Sequence, residues 1–209
     1  VEFDKPAPGE ELNDSEEATL PRQAASVVLL RGGADRLELL LVQRTPKARF
    51  MGGFWVFPGG AVDAHEGEGD EAHRLAAVRE LEEEASVSGI APSELVKFSR
   101  WITPAAVKIR FDTHFFLAPA PAAASPVVDG SEIVDLVWHT PQSALEAYGR
   151  DQLPLVFPTI KQLEQFSAFD SSDALIAHAA AQTVEPVEPR VLIEGEVARV
   201  LLPGEPGYD

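Results

Sequence analysis

Two apolar runs near the start of the chain flank a turn and predict a hairpin. Ser26-Val27-Val28-Leu29-Leu30 is followed by Gly32-Gly33-Ala34-Asp35, then by Leu37-Glu38-Leu39-Leu40-Leu41-Val42. Runs of this length around a glycine turn read as paired strands. A loop rich in Arg, Pro and Gly leads to Phe54-Trp55-Val56-Phe57, which ends on Pro58-Gly59-Gly60. The periodicity then becomes helical. Leu75, Val78, Leu81 and Ala85 share one side of a helix predicted from about 71 to 85. Strands are expected near 95–102, 111–118 and 133–139, and helices over 141–148, 158–169 and 172–182. Pro141 suits a first helical turn, where its missing N–H costs nothing. Val191-Leu192-Ile193 and Val200-Leu201-Leu202 flank Gly195 as a closing hairpin. Strands interleaved with helices give an α+β class, with extra C-terminal helices and a terminal hairpin.

Composition narrows the classes. The chain has 209 residues, 45% of them hydrophobic, enough for one full-sized domain with a core. It contains no cysteine, which removes disulfides, thiolate metal sites and a cysteine nucleophile. A net charge of −17 argues against nonspecific binding to nucleic acid or an anionic membrane. No apolar run reaches the roughly 18–20 residues of a membrane span, and the first residues lack the features of a signal peptide. A cytoplasmic protein is the expectation. Residues 1–22 read as an acidic, flexible tail, with seven acids and one lysine in the first twenty positions. Residues 23–209 read as a single domain with a C-terminal helical extension.

The helix carries the chemistry. In Arg79-Glu80-Leu81-Glu82-Glu83-Glu84, three glutamates (Glu80, Glu83 and Glu84) fall within roughly a 100° arc. Like charges at this spacing destabilise a helix. A hard divalent cation such as Mg²⁺ or Mn²⁺ turns the repulsion into coordination and keeps positions open for water and substrate phosphate. The five histidines form no metal cluster, since His65 and His73 flank a polar loop while His114 and His139 sit in expected strands. Neither a serine-hydrolase G-x-S-x-G nor a Walker-type phosphate loop is present.

Together with Gly60, this segment resembles the Nudix box, G-x5-E-x7-R-E-U-x-E-E-x-G-U, with U a bulky aliphatic residue. Arg79 to Glu84 match R-E-U-x-E-E without exception, and Val87 takes the last aliphatic position. Ser86 stands where the pattern has glycine, and five residues are inserted between Gly60 and Arg79. Glu71, counted back from Arg79, is preferred as the first glutamate of the box over Glu66, counted forward from Gly60. The resemblance covers roughly residues 24–150 and implies a mixed sheet sandwiched between helices. It implies metal ligation by Glu80, Glu83 and Glu84, with the Gly59 carbonyl as a further ligand. Arg79 is expected to hold Glu83 by an i, i+4 ion pair. The general base is either Glu80 or Glu132, the latter following the turn at Asp129-Gly130-Ser131.

Leu40-Leu41-Val42-Gln43-Arg44-Thr45, then Arg49, Gly53 and Phe57-Pro58-Gly59-Gly60, are similar to the signature of coenzyme A diphosphatases, with Val42 and Thr45 departing from it. This branch implies cleavage of coenzyme A or acyl-coenzyme A to 3′,5′-ADP and a 4′-phosphopantetheine, with Arg44 and Arg49 gripping phosphates. ADP-ribose or a nucleotide sugar is the alternative substrate, and a non-catalytic nucleotide-binding module is the alternative of another class. The expected partner is a small-molecule diphosphate, with no nucleic acid or membrane partner, and a homodimer is compatible with the sequence.

Overall fold

The computed structural model describes residues 2–3, 11–13, 17–194 and 197–208. In chain order the elements are β1 (Glu2–Phe3), β2 (Arg22–Arg31), β3 (Glu38–Arg44), β4 (Trp55–Val56), β5 (Gly59–Ala61), α1 (Gly69–Ala85), β6 (Val96–Ile102), β7 (Phe111–Pro119) and β8 (Ile133–His139). They continue with α2 (Pro141–Gly149), α3 (Phe157–Phe166), α4 (Ser172–Ala180), β9 (Pro186–Val187), β10 (Arg190–Glu194) and β11 (Val197–Leu201). Gly195 and most of the acidic N-terminal stretch lie outside the described residues.

The main sheet is mixed, in the order β4-β3-β2-β7-β6-β9, with β5 added to β2 and β8 to β3. β2 runs parallel to β7 over nine residue pairs and antiparallel to β3. Its side chains alternate between two cores. Ala25, Val27 and Leu29 face α1 with Leu40 and Val42 of β3. Val28 and Leu30 face α2, α3 and α4 with Leu39 and Leu41. Burial on both faces is why β2 and β3 read as continuous apolar runs rather than alternating ones. Among the described residues, no helix is long and apolar enough to cross a membrane.

Three expectations change in detail. The β2–β3 hairpin makes only the pairs Leu30↔Leu39 and Arg31↔Glu38, while β3 pairs with β8 from Leu39 to Arg44 and with β4 at Val42 and Gln43. The fork that opens along β2 is filled by β5, paired through Ala24↔Ala61 to Ser26↔Gly59. Second, α1 is rotated from its expected face. Ala72, Ala76, Ala77, Leu81 and Ala85 meet the sheet, while Leu75 is exposed. Small residues let the helix axis approach closely, and that rotation carries Glu84 inward to 3% exposure. The acidic face is therefore only partly open. Third, the described part of the N-terminal segment is docked: Leu12 bridges Val107, and Arg110 Nη1 donates to the Thr19 carbonyl at 2.8 Å.

A polar cluster sits between α1 and the sheet. The rings of His73 and His114 stack 3.7 Å apart. His73 Nδ1 lies 2.7 Å from the Gly69 carbonyl, and its Nε2 lies 2.8 Å from Gln23 Oε1. Gln23 Nε2 donates to Asp112, which also accepts two hydrogen bonds from Arg100. Both His114 ring nitrogens are buried without a hydrogen-bond partner, Nε2 standing 3.8 Å from Asp112 Oδ1. Burial first, then neighbouring His73, pull the His114 pKa down to about 4.

Candidate active site

The glycine loop is pinned to β2 before it meets the helix. Ser26 Oγ donates to the Pro58 carbonyl at 2.7 Å, and the Val27 N–H donates to the same oxygen at 2.8 Å. The Gly59 N–H then donates to Glu84 Oε2 at 2.9 Å. Neither glycine has a spare position for a side chain. A Cβ on Gly59 would lie 2.4 Å from the Ala25 carbonyl oxygen, and one on Gly60 would lie 2.3 Å from Glu80 Oε1. Close approach, rather than an unusual φ, is what demands glycine at both.

Arg79 ties the acidic helix to this loop. Its Nη1 donates to Glu80 Oε1 at 2.8 Å and to Glu83 Oε2 at 2.9 Å, the expected i, i+4 pair. Its Nη2 donates to the Ala61 carbonyl at 3.0 Å. Its Nε donates to Glu66 Oε1 at 2.9 Å. This corrects the register of the box. Glu66, not Glu71, meets the arginine, while Glu71 is exposed in the first turn of α1. The strand β5 runs directly into a 3₁₀ turn at Ala64–Glu66, so the spacing from Gly60 is the rigid one and the extra residues follow Glu66. Counting forward from Gly60 carries that signal. Burial works against the Glu66 charge, but hydrogen bonds from Arg79 and the Asp63 N–H hold its pKa below the usual carboxylate range.

The other glutamates differ in environment. Glu83 is largely exposed. Glu80 is mostly buried, and desolvation raises its pKa despite the opposing Arg79 charge. Glu84 is the extreme case. Burial first, then nearby Glu80 and Glu132, push its pKa up to about 8 against the pull of the Gly59 N–H and Arg44. Its Oε1 is buried with no hydrogen-bond partner, and Arg44 Nη1 stands 3.7 Å away. Among the described residues, no three His, Asp or Glu side chains already converge in metal-holding geometry. Yet a buried carboxylate with an unpartnered oxygen, beside two further carboxylates, is a donor set that fits a hard divalent cation.

Part of this arrangement opens on a cleft of about 850 Å³. Gly59, Gly60, Glu80 and Arg44 line it, as does Glu132. Glu132 is held there by Asp129, whose carboxylate accepts from the backbone N–H groups of Ser131, Glu132 and Ile133. Arg49 is not brought into the cleft. It is exposed on the loop whose next residues, Phe50 and Met51, form part of the lining. Ser26 and Arg22, which also line the cleft, escaped the sequence reading. Glu66 is weighed there by its spacing from Gly60 and passed over for Glu71.

A carboxylate helix clasped by a glycine loop at the mouth of a cleft is the arrangement of a phosphate-anhydride hydrolase. The NUDIX domain profile matches residues 20–159, and the chain belongs to the Nudix hydrolase family. Nudix hydrolase 7 of Caenorhabditis elegans is 30% identical over 70% of this chain and 60% of its own length. Human acyl-coenzyme A diphosphatase NUDT19 is 24% identical over 90% of this chain and 80% of its own. The crystal structure of a Nudix hydrolase from Alicyclobacillus acidocaldarius has a TM-score of 0.67 at 27% identity, covering 76% of this chain and 96% of that one. Enzymes of the family act on nucleoside diphosphates linked to another group and generally use a divalent ion such as Mg²⁺ or Mn²⁺.

Proposed function

We propose that this chain hydrolyses coenzyme A or acyl-coenzyme A to 3′,5′-ADP and the corresponding 4′-phosphopantetheine. The observation that carries the reaction is Glu84: buried, hydrogen-bonded by Gly59, and left with one unpartnered oxygen 3.7 Å from Arg44, which lines the cleft. Glu80, Glu83, Glu84 and the Gly59 carbonyl are the groups that hold Mg²⁺ or Mn²⁺. Bound there, the cation neutralises phosphoryl oxygens and polarises water. Arg79 keeps Glu80 and Glu83 in place between helix and loop. Glu132 or Glu80 accepts the proton of the attacking water, whose oxygen bonds to phosphorus as the bridging P–O bond breaks. Arg44 meets the diphosphate with a fixed pair of N–H donors.

The coenzyme A reading draws support from Arg44, Gly53 and the Phe57–Gly60 run, and from the similarity to the human acyl-coenzyme A diphosphatase. Arg49 at the rim is suited to a 3′-phosphate left in solvent. Turnover of coenzyme A, dephospho-coenzyme A and ADP-ribose with Mn²⁺, followed by product mass, tests it. Coenzyme A is expected to be preferred. Arg44→Ala is expected to raise KM roughly 10- to 150-fold, the value of a charged hydrogen bond. If ADP-ribose is the best substrate and Arg49→Ala affects all three alike, the coenzyme A assignment fails and general diphosphatase activity remains.

A further inference from the structure

The cleft is larger and more apolar than a diphosphate requires. Phe57, Trp101, Phe111, Phe115 and Phe157 line it, and Tyr148 adds a hydroxyl. Cavities of this size with few polar groups bind molecules that lose most of their contact with water. The two substituents of a coenzyme A diphosphate differ in how well they tolerate that. The nucleotide carries a 3′-phosphate whose burial without a charged partner is costly. The acyl-pantetheine arm carries no charge and ends in hydrocarbon.

One wall of the cleft comes from outside the segment that the family profile matches. Val191 of β10 and Val200 of β11 are direct cross-strand partners, so both side chains point to the same face of the hairpin. Both line the cleft. Val200 also packs against the core cluster that contains Trp101 and Phe157. The β1-β11-β10 sheet is separate from the main one, and its cleft-facing valines give it a role there. We infer that the cleft takes the thioester-linked acyl chain, and that the β10–β11 hairpin forms a wall that sets which chain lengths fit. This inference rests on the coenzyme A reading above.

The test is a chain-length series: free, acetyl-, hexanoyl- and decanoyl-coenzyme A. For the wild type, kcat/KM is expected to rise by about tenfold or more from acetyl to decanoyl, since each buried methylene is worth up to about fourfold. Calorimetric titration of the metal-free protein with the same series is expected to rank the ligands identically, without turnover. Val200→Trp and Val191→Phe fill the space and are expected to lower the decanoyl-to-acetyl ratio by about tenfold. Val200→Thr keeps the shape, tests the same wall if the bulkier variants do not fold, and is expected to lower the ratio severalfold. A wild type that hydrolyses coenzyme A with no dependence on chain length overturns the acyl site. Folded variants that keep the wild-type profile overturn the hairpin as its wall. Absence of turnover on every coenzyme A compound, with ADP-ribose cleaved, overturns the coenzyme A reading instead.

Discussion

Ser86 shows how one residue absorbs a departure from the family pattern. It adopts φ 55° and ψ 30°, the left-handed conformation that glycine reaches without steric cost. The turn is made all the same: the Ser86 N–H donates to the Glu82 carbonyl at 2.9 Å, closing α1. A non-glycine residue there is strained by about 1–2 kcal/mol. Part of that is recovered because serine has less freedom than glycine to lose from the unfolded chain. Ser86→Gly is therefore expected to stabilise the protein by roughly 0.5–1 kcal/mol. Urea denaturation with an unchanged slope and a higher midpoint would show it. An equal or lower midpoint would mean that the turn carries no strain.

The junction of β5 with α1 is where elements become a site, and its two glycines serve different ends. The Gly59 clash is with backbone of β2, which cannot swing aside. The Gly60 clash is with the far end of the Glu80 side chain, which can. Gly59→Ala is thus expected to lower thermal stability markedly. Gly60→Ala is expected to fold near wild type yet lose about tenfold or more in kcat, because Glu80 is displaced. Melting temperatures beside kcat values separate the two, and the reverse pattern would show that Glu80 placement is unimportant. Much of this junction was legible in the sequence. The strand and helix types follow from periodicity, and the box from Arg79 to Glu84 lands on one helix. Helix rotation was not legible, because alanines give no amphipathic contrast and Leu75 looks as buried as Leu81. Nor was the partner of Arg79, since which side of an insertion stays rigid depends on the 3₁₀ turn at Ala64–Glu66. Arg49 stands off the cleft lining for a related reason: spacing places it on the right loop but does not turn it inward.

For the molecule as a whole, two buried groups on opposite sides of neutrality shape stability against pH. Glu84 has its folded-state pKa raised to about 8. The unfolded chain releases that proton near the ordinary value for glutamate, so Glu84 costs stability progressively as pH rises from about 4.5 to about 8. His114 has its folded-state pKa lowered to about 4. The unfolded chain takes up a proton near pH 6.5, so His114 costs stability as pH falls from about 6.5 to about 4. In the shared window the slopes oppose, and metal-free protein is expected to show a plateau between about pH 4.5 and 6.5. From there to about pH 8 the His114 contribution is gone while the Glu84 slope remains, and melting temperature is expected to decline. Glu84→Gln removes that decline, raising the metal-free melting temperature at pH 8 while lowering kcat by roughly 10²-fold with loss of a charged ligand. Stability gained together with activity lost separates a strained functional carboxylate from a structural one. Melting curves of metal-free wild type and Glu84→Gln from pH 4 to 9 are the measurement. Parallel curves for the two proteins above pH 6.5 would show that Glu84 is not held protonated by burial. A variant less stable than wild type at pH 8 would show that its charge supports the fold instead of opposing it.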